Sequence, residues 1–209
     1  MATLTTEAPA PKRVMLLIPG LRDANATGLL RLAPVFESAG YTTEALTYGM
    51  FLLRGIAWHL FNPPVAEMLR DTIRLLDRLG YEVNLCAHSN GGAIALAASD
   101  SPIYSITLIN AAVETDARIG KGVKWLFDLI QPVDPILWAS AMIPASPWGL
   151  GGVVGIQGDP RVQNISLREE QFGEIRGHGG GLVVPVAEKI VEAIEQSRAI
   201  PPLKPPSHL

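Results

Sequence analysis

The sequence predicts an α/β protein with a largely parallel sheet and helices on both faces. RVMLLIPG, residues 13–20, is an unbroken apolar run ended by Pro-Gly, as a strand buried on both faces requires. PPVAEMLRDTIRLLDRLG, residues 63–80, carries a broad apolar stripe that includes Val65, Leu69, Ile73 and Leu76, with prolines at its start and Gly80 at its end, the marks of a helix. YEVNLCAHSNGGAIALAASD, residues 81–100, passes from an apolar strand pattern straight into small helix-forming residues. Strands alternating with helices need crossover connections, and crossovers join parallel strands.

The remaining elements fit that alternation. ATGLLRLAPVFESAG, residues 26–40, has apolar positions at helical spacing, with Pro34 as a point of kinking and Gly40 as a stop. YTTEALTYG, residues 41–49, returns as a strand bounded by glycines. IYSITLINAAV (103–113) and GVKWLFDLIQ (122–131) read as further strands. FGEIRGHGG (172–180) reads as a short strand ending at His178, and PVAEKIVEAIEQS (185–197) as a final amphipathic helix. The expectation is one domain over 13–197, with room for a cap or insertion at about 114–165 and loose tails at 1–12 and 198–209.

Composition narrows the function. The 209 residues are 48% hydrophobic and 18% charged, which suits a folded globular chain rather than a disordered one. A net charge of −3 offers no basic face to phosphates, so nucleic acid is not an expected partner. Cys86 is the one cysteine, which excludes an internal disulfide, and His59, His88, His178 and His208 have no metal-ligand spacing. No metal or other cofactor is expected. The N-terminus lacks the apolar core of a secretory signal and no stretch reaches membrane-spanning length, so a cytoplasmic location is expected.

The break at Ala87-His88-Ser89-Asn90-Gly91 carries the chemistry. A nucleophile held on a sharp strand-to-helix turn adopts a strained backbone, so residues two before and two after it must be small. Ala87 and Gly91 meet that need, Ala87 less easily than a glycine would. A serine that merely caps a helix needs no small residues on either side.

At AHSNGG the chain resembles the α/β-hydrolase family, whose usual form is GHSxGG, and the order of elements over about 13–195 follows the same plan. The resemblance implies a three-layer α/β-hydrolase-like sandwich with Ser89 as nucleophile. IPGLRD, residues 18–23, then corresponds to the loop that supplies an oxyanion donor, giving Leu21 and Asn90 as backbone donors, although Pro19-Gly20 stands where the family often has His-Gly. The family order Ser, acid, His makes His178 the base: His59 comes too early, His88 is fixed beside the serine with its side chain directed elsewhere, and His208 is in the tail. For the acid, Asp134 follows the better strand and leaves space for a helix and strand before His178. Asp159 is the alternative, and Glu114 or Asp116 a third choice.

These expectations describe a serine hydrolase of carboxylic esters, of esterase or lipase type, working through an acyl-enzyme. Trp125, Phe127, Trp138, Met142, Ile143 and Trp148 would pack in the core or lie over the site and favour an apolar acyl group. GMFLLRGIAWHLFNPP, residues 49–64, would pack as a loop, lie over the site or touch a lipid surface. An acyltransferase would look the same in sequence, and a non-catalytic ligand- or partner-binding protein of the same fold is the alternative from a different class.

Overall fold

The computed structural model describes residues 11–21, 23, 26–48, 58–142, 148–172, 175 and 177–201, with the side chains of 58–61 and 169–170 left out. Strands β1 (Lys12–Ile18), β2 (Tyr41–Ala45), β3 (Tyr81–His88), β4 (Ile103–Ile109), β5 (Val123–Ile130) and β6 (Val162–Ser166) form one sheet in the order β2-β1-β3-β4-β5-β6. Every neighbouring pair is parallel. The helices are α1 (Thr27–Leu30), α2 (Ala33–Ser38), α3 (Trp58–Arg78), α4 (Asn90–Ala97), α5 (Pro135–Ala141), α6 (Gly151–Val154), α7 (Glu169–Phe172) and α8 (Val184–Arg198).

Two apolar layers sandwich the sheet. On one face Val65, Leu69 and Ile73 of α3 and Ile94 of α4 pack on Val14, Leu16, Val83 and Leu85. On the other, Leu29 of α1, Phe36 of α2 and Val186, Ile190 and Ile194 of α8 pack on Met15, Leu17 and Phe127. Alternate residues of each central strand enter opposite layers, so a two-sided core needs a continuous apolar run. The chain leaves β1 toward β2 on one side and β3 lies on the other. The carboxyl ends of β1 and β3 therefore flank a switch in strand order, where loops diverge and leave a crevice.

Several elements depart from the sequence expectation. The helix expected over 26–40 is broken in two, and Pro34 stands in the first turn of α2, where its missing N–H costs nothing. Helix α3 starts at Trp58, so Pro63 and Pro64 fall inside it rather than at its start. No strand runs through 172–178 among the described residues, and Gly177 to Gly180 form turns instead. The last strand among the described residues is β6, which the sequence does not announce. An edge strand pairs on one side only, and most of its residues are half-exposed, so it carries no strong apolar pattern.

Of the 114–165 span, β5 and β6 belong to the sheet, while α5 lies beyond its carboxyl end. Trp125 and Phe127 are buried β5 residues of the core. The tails at 1–10 and 202–209, residues 49–57 and Ile143 lie outside the described residues. No described helix is long and apolar enough to cross a membrane.

Candidate active site

Ser89 sits between β3 and α4 with φ 56° and ψ −127°, a conformation that few non-glycine residues adopt. Its hydroxyl does not cap α4. The bend holds because the neighbouring chain comes close: a Cβ on Gly91 would lie 2.2 Å from the Ile18 carbonyl oxygen. One on Gly20 would lie 2.8 Å from the Ser89 Cβ. Ala87, fully buried, is accommodated two residues earlier.

His178 brings its Nε2 to 2.7 Å from Ser89 Oγ, and its Nδ1 lies 2.7 Å from Asp134 Oδ2. Burial alone would raise the Asp134 carboxyl pKa. Hydrogen bonds from His178 and Asn110, the nearby His178 ring and the Leu137 amide outweigh it and hold the pKa below the ordinary value. An ionised Asp134 only accepts, so the His178 Nδ1–H donates to it and Nε2 is left to accept from the Ser89 hydroxyl.

Asp134 serves two ends at once. Its Oδ1 caps α5 by accepting from the Ile136 and Leu137 amides at 3.0 and 3.1 Å, and its Oδ2 accepts from His178 and, at 2.9 Å, from Asn110 Nδ2. Asp159 is not brought into this group. It precedes β6 at the amino end of the sheet and pairs at 2.6 Å with Arg161, whose guanidinium also donates to the Ile119, Gly120 and Val123 carbonyls. Glu114 and Asp116 are exposed.

A cavity of about 510 Å³ opens over Ser89. Leu21 and Asn90 line it beside Ser89, while Ile136, Leu137 and Ala139 of α5 and Trp148 form an apolar wall. Trp138 is partly exposed and Met142 is 82% exposed.

No family model and no curated protein matches the chain by sequence. Solved structures do match in three dimensions. A protein assigned as a hydrolase of the alpha/beta superfamily from Xanthomonas campestris pv. campestris superposes with a TM-score of 0.60 at 18% identity, over 89% of this chain and 99% of that one. The esterase domain of a Rhodothermus marinus protein gives 0.55 at 15% identity, over 94% of this chain and 89% of that one. A metagenome-derived lipolytic enzyme gives 0.52 at 14% identity, over 89% and 94%. The chain has the α/β-hydrolase fold.

Within this α/β-hydrolase fold, three polar residues beside the site carry no signal in the sequence that joins them to it. Asn110 follows β4 with φ 47°, and its Nδ2 also donates to Gln131 Oε1 at 2.8 Å. Gln131 Nε2 in turn donates to the Ile175 carbonyl. Asn62 of α3 forms a reciprocal amide pair with Asn90 at 3.1 and 3.2 Å, and the Trp148 indole donates to Asn90 Oδ1 at 3.4 Å. Amides just after strands were the available signal for residues 90, 110 and 131, but nothing in sequence spacing joins them to one another or to Asn62 in α3.

For His88 the expectation fails. Its side chain is not directed away: Nε2 lies 2.8 Å from the His178 backbone oxygen, and the two rings stand 4.9 Å apart. Side chains alternate along a strand, so His88 leaves β3 on the side of Cys86, the layer that α8 covers. Burial pulls its pKa down to about 4. His208 and the side chain of His59 lie outside the described residues.

Proposed function

We propose that this protein is a serine hydrolase of carboxylic esters, of esterase or lipase type, with Ser89 as nucleophile, His178 as base and Asp134 as the acid that orients it. The observation that carries the reading is the unbroken hydrogen-bonded chain from Ser89 Oγ through both nitrogens of His178 to a buried carboxylate, begun at a strained serine. Capping would explain neither the strain nor the pairing. Two of the fold neighbours, an esterase domain and a lipolytic enzyme, suit the same reading.

In this mechanism Ser89 Oγ attacks the acyl carbon as its proton passes to His178 Nε2, and Asp134 stabilises the imidazolium that forms. The carbonyl oxygen, now negative, accepts from the backbone N–H groups of Leu21 and Asn90, which flank the cavity beside Ser89. His178 then returns the proton to the departing alcohol, leaving an acyl-enzyme. Water gives a proton to His178 as it attacks the acyl carbon, and His178 passes that proton to Ser89 Oγ as the bond to the acyl group breaks, freeing the acid and restoring Ser89. No cofactor enters these steps.

Helix α5 and Trp148 act as the cap of a single domain over 13–197, and their apolar wall favours an apolar acyl group. Val133, Ile136, Trp138 and Met142 expose apolar surface nearby, which suits contact with a lipid surface. The reading keeps the cytoplasm as the place of action.

A fluorophosphonate probe tests it directly. Labelling of the folded protein that vanishes in Ser89→Ala is expected, together with turnover of p-nitrophenyl esters. A folded wild-type chain that neither labels nor turns over would leave a ligand-binding protein as the better reading. Rates across esters from acetate to long chains, with and without an acceptor alcohol, define the acyl preference and distinguish transfer from hydrolysis.

A further inference from the structure

We propose that His88 is a positioning residue for the base: its Nε2–H, donated to the backbone carbonyl of His178, holds the loop on which that imidazole is carried. The inference rests on the proposed ester hydrolysis and deepens it by naming what sets the geometry of the Ser89–His178 pair. His88 is the last residue of β3 and directly precedes Ser89, so its hydrogen bond of 2.8 Å ties the base to the same rigid strand end that aims the nucleophile.

Among the described residues, few other hydrogen bonds hold the backbone of the His178 loop. Gly177, Gly179, Gly180 and Gly181 surround the histidine, Gly177 in the left-handed region at φ 68°. Glycines bring no side chains to pack, and they leave the backbone its widest freedom. Short turn bonds run from the Gly180 amide to Gly177 and from the Leu182 amide to Gly179. Among the described residues, the other side-chain hydrogen bond to this loop's backbone is Gln131 to the Ile175 carbonyl, three residues earlier. Of the two ties, only His88 acts on the peptide group of the base itself.

The other ring nitrogen argues against a role in packing alone. His88 Nδ1 is buried with no hydrogen-bond partner among the described residues. An unsatisfied buried polar atom is destabilising, and an apolar side chain would fill the same space without it. The groups around the ring are His178, Asp134 and Asp23. Burial, with His178 and against the two aspartates, keeps His88 uncharged at neutral pH and adds no positive charge beside the base; the His178 carbonyl can only accept, so the ring proton sits on Nε2.

His88→Gln and His88→Asn separate this role from stability. The glutamine amide reaches the position of the imidazole Nε2, whereas the asparagine amide stops at that of Nδ1. With p-nitrophenyl acetate, His88→Asn is expected to lower kcat by about 10²-fold with KM within twofold, the cost of a base misplaced by about 1 Å. His88→Gln is expected to stay within about fivefold of wild type, at a similar Tm. Equal kcat values in the two variants, or a collapse of Tm in both, would overturn the proposal. Should the wild-type protein be inert toward esters and fluorophosphonate, the hydrolase reading falls separately. The low-field proton resonance of the His178–Asp134 hydrogen bond then decides: retention in His88→Gln and loss in His88→Asn supports the positioning role, and an identical signal in both refutes it.

Discussion

Replacing Asp134 by asparagine isolates one hydrogen bond of the candidate site, because the two oxygens of this carboxylate have separate duties. The asparagine Oδ1 can still accept from the Ile136 and Leu137 amides, and asparagine caps helices as well as aspartate does. What changes is Oδ2, which becomes an NH2 group facing two donors, His178 Nδ1 at 2.7 Å and Asn110 Nδ2 at 2.9 Å. His178 relieves its half of the conflict by moving its proton to Nε2, and that nitrogen then cannot accept from Ser89. The same change in a comparable triad lowers the rate about 10⁴-fold, which corresponds to about 5.5 kcal/mol of barrier. Asn110 keeps a donor-to-donor contact, so stability is expected to fall by about 1–3 kcal/mol, too little to unfold the chain. Steady-state kcat/KM on an activated ester, measured beside urea unfolding, reads both quantities. A folded Asp134→Asn protein within tenfold of wild-type activity would refute the reasoning.

Three further outcomes test other parts of the structure. Asp159→Asn is expected to leave kcat/KM within about twofold while lowering Tm by several degrees, since it takes the carboxylate from a buried Arg161; the two measurements on one preparation check this. Gly20→Ala places a methyl group 2.8 Å from the Ser89 Cβ and is expected to cut kcat by 10 to 100-fold through misplacement of the proposed nucleophile, with far-UV circular dichroism unchanged, where ~1 Å is worth ~10²-fold. Asp128 concerns pH: burial, opposed in part by the Ile156 amide, raises its pKa from 3.8 to about 7. From about pH 4 to 7 the folded chain therefore holds a proton the unfolded chain has lost, and its contribution to stability falls as pH rises, by about 4 kcal/mol in all. His88, lowered from 6.5 to about 4, works the other way, because the unfolded chain takes up a proton first as pH falls. Asp128→Asn removes the first slope and leaves the second, so urea midpoints of the variant should drop more steeply than those of wild type between pH 7 and pH 4; parallel curves would contradict this.

The sheet was legible because buried parallel strands must be apolar on both faces. RVMLLI, NLCA and ITLI declare themselves without knowledge of their neighbours. The serine bend was legible for a related reason: a strained turn pressed against β1 tolerates only small residues nearby, and that steric demand acts within five positions of the chain. Edge strand β6 was not, since pairing on one side leaves it half-exposed and removes the pressure for an apolar pattern. Nor was the division of roles between Asp134 and Asp159. Both stand at turns before a proline, and only the direction of the strands places one at the carboxyl end of the sheet beside His178 and the other at the amino end beside Arg161.

By itself, then, the sequence determined the layered α/β arrangement and the bend at Ser89, because burial and backbone strain restrict residue type locally. Tertiary structure alone decided which carboxylate meets the histidine, that His88 turns toward the site, and that Asn62, Asn110 and Gln131 brace it. Hydrogen bonds between residues far apart in the chain depend on where strand ends converge, and no local pattern of residue types encodes that convergence.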